Sequence, residues 1–355
     1  RGTCPKCGAR RIDAQMGLEP TPEEHVAAMV AVFREVRRVL RKDGTLWLNY
    51  GDCYVGGGHG GNPAESAFRK QATNVGSLID PSPVPPGLKP KDLVGMPWRV
   101  AFALQQDGWW LRSDIIWHKP NPMPESVTDR PTNAHEHVFL LTKSARYFYD
   151  AEAVREPAIR AGEIPGGNYA EKGTAYQVNG GWAGGEVPAG RNLRNVWSIA
   201  TAPFSEAHFA TFPPELARRC IAAGTSERGC CAKCGAPWVR KIEVGELRSD
   251  GRGQVMRAQA EYRDRPEKGW NSELGYGQNL IKPKTTAGWS PSCACDAAVV
   301  PCTVLDPFAG AGTVGLVADR MQRDAILIEL NPDYVAMARR RIAEDAGPLL
   351  GMMQA

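Results

Sequence analysis

Apolar residues recur at helical spacing near the start of the chain, with Thr21 placed to cap a helix and Pro22 at its first position. The apolar stripe consists of Val26, Met29, Val30, Phe33, Val36, Val39 and Leu40. This pattern predicts a helix over residues 21–40. A turn then leads into the apolar run Thr45–Tyr50, which predicts a short buried strand that ends at Gly51-Asp52.

Further periodic segments alternate with long stretches that are rich in glycine and proline. Residues 93–106 are predicted as a helix, and Trp110–His118 and His137–Thr142 as strands. The stretch 53–90 is too long for a simple connection, so it is expected to be a functional lid or a disordered segment, and residues 151–200 are again loop-rich.

Near the C-terminus the pattern predicts a strand, a glycine turn, a helix, a second strand and a final helix. The predicted elements are the strand Thr303–Leu305, a helix that ends near Met321, the strand Ala325–Ile328 and a helix from about Asp333 to Glu344. Asp306, Gly310 and Gly312 lie in the turn, and Glu329 follows the second strand. This order is typical of a nucleoside-binding unit, in which glycines allow close approach and the acid holds ribose hydroxyls. A turn that needs glycine for packing alone is the alternative.

The composition limits the classes of protein to consider. A chain of 355 residues suggests one large domain with insertions, or two domains. No apolar stretch approaches the roughly 18 residues that span a bilayer, which excludes an integral membrane protein. The net charge of +4 permits a nucleic-acid partner without arguing for one. A dinucleotide enzyme is disfavoured, because no second glycine fingerprint precedes the turn and only 26 residues follow Glu329.

The spacing of the ten cysteines is more informative than their number. Cys231, Cys234, Cys293 and Cys295 form two close pairs, and two such pairs supply the four thiolates of a structural Zn²⁺ site. Cys230 could replace Cys231, and unlinked reduced thiols are the alternative. Cys4 and Cys7 form a further half of such a site, or serve no metal at all.

The turn Asp306-Pro-Phe-Ala-Gly-Ala-Gly-Thr313, with Ile328-Glu329-Leu330-Asn331-Pro332 after it, resembles the cofactor motif of amino-group DNA methyltransferases. The resemblance to this N4-cytosine/N6-adenine class extends through residues 18–23, 45–52, 109–125 and 208–213. The order of segments is similar to the circularly permuted branch, in which the catalytic half precedes the cofactor half. The resemblance implies a Rossmann-like α/β fold with a seven-stranded sheet, a hairpin within 93–150 and a loop-rich target-recognition region. The cysteine spacing adds a zinc-knuckle insert to this fold.

The resemblance also implies a cofactor, a partner and site residues. S-adenosyl-L-methionine would be lined by Asp306, Phe308, Gly310, Gly312 and Thr313, with Glu329 on its ribose and Phe209 and Phe212 beside its methionine moiety. Double-stranded DNA is the implied partner, and the implied location is the cytoplasm, for a protein of bacterial or phage origin. Target base, recognition sequence and oligomeric state stay open. Asp52 is either a candidate for the catalytic site or a cap in a turn.

One expected motif is missing from the sequence. Members of the class hold the target amine with Asp/Ser/Asn-Pro-Pro-aromatic, whereas Pro85-Pro86 precedes Gly87 and Pro213-Pro214 precedes Glu215. We therefore expect that the chain lacks an N-terminal segment and that it is inactive alone, with its catalytic residues unassigned. A non-catalytic, DNA-binding or zinc-containing remnant is the alternative.

These inferences divide the chain into four parts. The catalytic half is expected over 1–150 and a target-recognition region over 151–200. The cofactor half is expected over 201–225 and 301–345, and the zinc-binding insert over 226–300.

Overall fold

The structure is a computed structural model that describes residues 16–56, 84–157, 190–202, 211–244 and 284–346. The helices in these ranges are α1 (Pro22–Val39), α2 (Met96–Gln106), α3 (Pro214–Gly224), α4 (Thr313–Arg320) and α5 (Pro332–Ala346). The strands are β1 (Thr45–Tyr50), β2 (Trp110–His118), β3 (His135–Thr142), β4 (Glu156–Pro157), β5 (Gly190–Arg191), β6 (Val196–Ser198), β7 (Cys230–Cys231), β8 (Trp238–Val244), β9 (Lys284–Pro291), β10 (Val299–Val300), β11 (Thr303–Asp306) and β12 (Asp324–Leu327).

The predicted elements are present, with small shifts at their ends. In α1 the Thr21 hydroxyl accepts a hydrogen bond from the Glu24 N–H at 3.2 Å, which is the predicted cap. Helix α2 begins at Met96, three residues later than predicted, because Gly95 has a left-handed backbone with φ of 74°. Strand β12 lies one residue earlier than predicted, at Asp324–Leu327.

The main sheet has the strand order β1-β3-β2-β6. Strand β3 pairs antiparallel with both β1 and β2, and β6 pairs parallel with β2. Strands β1, β2 and β6 therefore point the same way and end together at Tyr50, His118 and Ser198. We call this side of the sheet the carboxyl edge.

Helices cover both faces of the main sheet. On one face, α1 and α2 pack against Leu48, Phe139 and Leu141 in a core centred on the fully buried Phe33 and Val100. On the other face, Trp117, Leu140 and Trp197 pack against Leu216 of α3. Burial of apolar surface on two faces is what a mixed α/β layer structure requires.

Strands β11 and β12 form a separate parallel pair, with α4 and α5 beside them. The resemblance implied one continuous seven-stranded sheet, whereas the described strands form a four-stranded sheet and this pair. Side chains connect the two parts instead of backbone hydrogen bonds: Leu305 packs against the α1–α2 core, and the Phe308 ring meets Phe33 edge-on at 6.3 Å.

The described residues between α3 and β11 include two short ribbons. Strands β7 and β10 pair antiparallel, with Cys230 opposite Val300 and Cys231 opposite Val299. Beyond them, β8 pairs antiparallel with β9, in a register that places Trp238 opposite Pro291 and Val244 opposite Lys284. In the described parts of the chain, no helix has the length and apolarity needed to cross a bilayer.

Candidate functional site

The turn after β11 brings two acids together at the ends of neighbouring parallel strands. Asp306 ends β11, and its Oδ1 accepts the Phe308 N–H at 3.0 Å. Burial raises the pKa of Asp306 above its ordinary value, and the nearby Glu329 carboxylate raises it further. The turn therefore presents concentrated negative charge.

Glu329 links the turn to the end of β12. Its Oε2 accepts the Gly310 N–H and its Oε1 accepts the Asn331 N–H, both at 2.8 Å. Because each carboxylate oxygen can accept a second hydrogen bond, Glu329 is held in place and still able to accept from a ligand hydroxyl.

The glycines of the turn have different surroundings. Gly310 has φ of 50°, and a Cβ built there would meet no atom nearer than 4.0 Å. Gly312 has φ of 74°, and its Cβ would lie 2.7 Å from the Cβ of Ala338 in α5. A Cβ built at Gly315 would lie 2.6 Å from Cδ1 of Leu327 in β12. Only Gly310 of these three faces open space, whereas the other two permit close packing of helices and strand.

Phe308 and Thr313 also differ in exposure. The Phe308 ring is 46% exposed beside α1. Thr313 is buried, and its hydroxyl accepts a hydrogen bond from Arg341 of α5 at 3.0 Å. The Thr313 side chain thus connects α4 to α5, while Phe308 presents an aromatic surface.

The predicted aromatic flank of the site is only partly described. Phe212 is half-buried and packs both against the core beneath α3 and against the apolar cluster that includes Val317 of α4. Phe209 lies outside the described residues.

Asp52 is a helix cap. Its Oδ1 accepts the backbone N–H groups of Gly95 at 2.9 Å and Met96 at 3.0 Å, at the start of α2, and also that of Cys53 at 2.9 Å. The N-terminal N–H groups of a helix lack partners within it, so this carboxylate satisfies two of them.

The predicted metal ligands converge. The Sγ atoms of Cys231, Cys234, Cys293 and Cys295 all lie within 4.8 Å of one another. A tetrahedral Zn²⁺ with Zn–S bonds of about 2.3 Å needs sulfurs roughly 3.8 Å apart, so small adjustments suffice. Gly235, with φ of 69°, closes the first turn through a 2.7 Å bond from its N–H to the Cys231 carbonyl. The structure thus brings together the four predicted cysteines.

The thiols of this cluster already differ in acidity. The backbone N–H of Cys234, and then that of Lys233, lower the pKa of Cys231 to about 7. Cys230, the alternative ligand, points elsewhere: its thiol donates to the Pro301 carbonyl at 3.4 Å. Cys4 and Cys7 lie outside the described residues.

A family model described as DNA methylase, of the N6/N4 methyltransferases, matches residues 9–232 and 302–340. The matched residues include the turn, both acids and the whole main sheet, and they amount to more than half of the chain. The chain belongs to the N6/N4 DNA methylase family.

Curated relatives of this methylase are Type II methyltransferases. M.XycI of Xanthomonas campestris pv. cyanopsidis is 39% identical over 93% of this chain and 75% of its own length. M.SmaI of Serratia marcescens is 34% identical over 92% of this chain and 77% of its own. A solved structure of the PvuII cytosine-N4-specific DNA methyltransferase is 16% identical, with a TM-score of 0.47 over 94% of this chain and 75% of that one. The relatives are named as enzymes, which gives no support to the non-catalytic alternative.

The methylase also has contacts at its sites that sequence reasoning missed. Arg41, just after α1, donates from Nη1 to the Cys234 carbonyl at 2.5 Å, and Asp43 fixes its guanidinium at 2.9 Å. Arg341 fixes the α4 start through Thr313. These contacts join residues that are distant in sequence, so no local pattern could have indicated them.

Proposed function

We propose that the methylase binds S-adenosyl-L-methionine at the turn between β11 and α4 and methylates an exocyclic amine in double-stranded DNA, either N6 of adenine or N4 of cytosine. The cofactor supplies a methyl group on a sulfonium. The observation that carries the proposal is the pairing of Asp306 with Glu329 around the open Gly310 backbone.

The charge of the turn supports this cofactor over a dinucleotide. Glu329 raises the pKa of Asp306, and two carboxylates this close together favour a cationic ligand, such as one with a sulfonium and an ammonium group. A pyrophosphate would be repelled by the same pair. Glu329 is proposed to accept from ribose hydroxyls, and Phe308 to offer its exposed ring. Gly312 and Thr313 are proposed to shape the turn from behind, and Phe209 and Phe212 to flank the methionine moiety.

Isothermal titration calorimetry with S-adenosyl-L-methionine tests the cofactor site. Asp306→Ala or Glu329→Ala should each raise Kd by about tenfold or more, since a hydrogen bond to a charged group contributes roughly 1.5–3 kcal/mol. Affinity should fall as the pH falls through the raised pKa of Asp306, because the protonated acid no longer attracts a cation.

Asp319→Ala is the matched control, because this exposed acid lies on α4, away from the turn. Unchanged affinity in both Asp306→Ala and Glu329→Ala would show that the cofactor binds elsewhere.

We further propose a structural Zn²⁺ held by Cys231, Cys234, Cys293 and Cys295. Four converging thiols, one of them with its pKa lowered to about 7 by backbone N–H groups, fit the donor set that Zn²⁺ prefers. The family model leaves residues 233–301 unmatched, which supports a separate metal-binding insert over 226–300. We keep the other proposed parts as well: a catalytic half over 1–150, a target-recognition region over 151–200, and a cofactor half over 201–225 and 301–345.

Elemental analysis of the purified chain tests the metal site. The zinc content should approach one per chain and fall sharply in Cys234→Ser, because the loss of one of four thiolates weakens a tetrahedral site. Cys230→Ser should keep its metal, since that thiol points to Pro301. Retention of zinc by Cys234→Ser, or its loss from Cys230→Ser, would refute this ligand set.

A further inference from the structure

The segment 119–134, which joins β2 to β3, is a clamped loop and not a simple hairpin turn. Hairpin connections commonly have two to five residues, and this one has its base closed by a 2.8 Å bond from the Lys119 N–H to the Ala134 carbonyl. We call it the 119–134 connection. It begins after His118, where β2 ends at the carboxyl edge of the main sheet.

Met123 lies between two anchors of this connection. On one side, the Thr201 N–H donates to Asn121 Oδ1 at 2.9 Å. On the other side, Glu125 pairs with Arg130 at 2.6 Å. The Arg130 guanidinium in turn lies 3.9 Å from the ring centre of Tyr54. The backbone on either side of Met123 is therefore fixed to different parts of the fold.

The backbone next to Met123 is stiff as well as anchored. Pro120, Pro122 and Pro124 alternate with Asn121 and Met123. Each proline fixes its own φ, and it also restricts the preceding residue to extended conformations. Little conformational freedom is left to lose when the tip meets a partner.

At this fixed tip the Met123 side chain is 86% exposed. Among the large apolar side chains of the described ranges, only Leu330 is more exposed, at 90%, and Leu330 directly follows Glu329 in the proposed cofactor site. A single exposed apolar side chain is ordinary on a protein surface, so what distinguishes Met123 is its position on a stiff loop that is anchored on both sides.

The position of the tip indicates which partner. The connection leaves β2 at the carboxyl edge, where Asp52 and Tyr54 follow β1, and Arg130 touches Tyr54. For a DNA methylase to reach an exocyclic amine, the base must leave the helix. A duplex that docks at this edge would bring its opened stack to Met123.

We propose that Met123 is a wedge that enters the base stack of duplex DNA and occupies the space left by the extruded base. This inference rests on the proposed function. Proteins that open or kink DNA insert apolar side chains such as Met and Pro between base steps. Methionine is unbranched and polarizable, so it fits a gap of irregular shape. The prolines and both anchors hold it extended before binding, which limits the entropy lost on insertion.

Two short duplexes that differ only at one central position test the wedge without knowledge of the recognition sequence. One is intact and the other has an abasic site, in which the gap already exists. The full chain should bind the abasic duplex about tenfold more tightly by fluorescence anisotropy at low salt, because the unstacking cost is absent. In Met123→Ala this ratio should fall to within about twofold of one, and in Met123→Phe it should persist.

Val39→Ala is the matched control. Val39 is also exposed, but it ends α1 near the start of β1, at the edge of the sheet opposite to the carboxyl edge. An equal loss of affinity for both duplexes in Met123→Ala would overturn the wedge, and so would a wild-type ratio of one. A change in oligomeric state with the ratio intact would assign the tip to contact between copies of the chain. Failure of the wild type to bind either duplex would instead refute the DNA partner, and the wedge with it.

Discussion

Gly310 and Gly312 both have a positive φ, but they meet different requirements. Gly310 faces open space, whereas Gly312 lies against Ala338. The sequence motif predicted that the turn needs glycine, yet it could not separate these two roles, because Ala338 belongs to a helix that begins twenty residues later. The separation depends on how α4 and α5 pack, which no local pattern encodes.

Alanine at these two positions should therefore have different effects. Gly312→Ala should lower the free energy of unfolding by about 1–3 kcal/mol more than Gly310→Ala, since only Gly312 adds a steric clash to the backbone strain that both share. Urea unfolding followed by circular dichroism measures the difference. Equal destabilisation would mean that α5 moves away at little cost.

At the scale of elements, the long periodic segments were predictable and the short ones were not. The α1 stripe and the apolar runs of β1 and β2 decide their own conformation, so their bounds were predicted to within about a residue. Strands of two or three residues, such as β6, β7 and β10, have no period and exist only because a partner strand lies beside them. Helix α3 was also missed, although Pro214 and Glu215 begin it.

Asp52 shows how one residue sets the start of an element. Asp52→Ala should destabilise the chain by about 1–2 kcal/mol through the lost cap of α2, and Asp52→Asn should recover most of this, because the amide oxygen can accept the same N–H groups. Thermal unfolding of the three proteins is the measurement. An Asp52→Ala variant as stable as the wild type would contradict the capping role and leave Asp52 as a candidate for the catalytic site.

At the scale of the whole molecule, the cysteine cluster is connected to the main sheet by Arg41. Its guanidinium joins the Cys234 carbonyl to the turn between α1 and β1. The cysteine spacing predicted the ligand set, but it could not predict what the cluster rests on. That information appears only when residues 193 apart in sequence meet.

Because Arg41 contacts both the cysteine cluster and the α1–β1 turn, removal of the metal should destabilise that turn locally. In the wild type, chelation should increase amide hydrogen exchange in the α1–β1 turn. In Arg41→Ala, zinc content should be retained while this response disappears. The contact is worth about 1 kcal/mol, because the side chain is 41% exposed and solvent screens it. An undiminished response in Arg41→Ala would show that coupling runs through another route, such as the β7–β10 pair.

Strands β7 and β10 place the two ends of the insert side by side, with Cys231 opposite Val299. When the first and last residues of a segment are already paired, a change in the length of the segment places no strain on the flanking elements. A change of chain length beyond this pair that keeps the cysteine ligands, and keeps Arg240 on the buried Asp150 at 3.0 Å, should therefore have little effect on β11, because the geometry at the junction stays constant. For protein engineering, the β7–β10 pair is a suitable site at which to insert another segment close to the proposed cofactor turn.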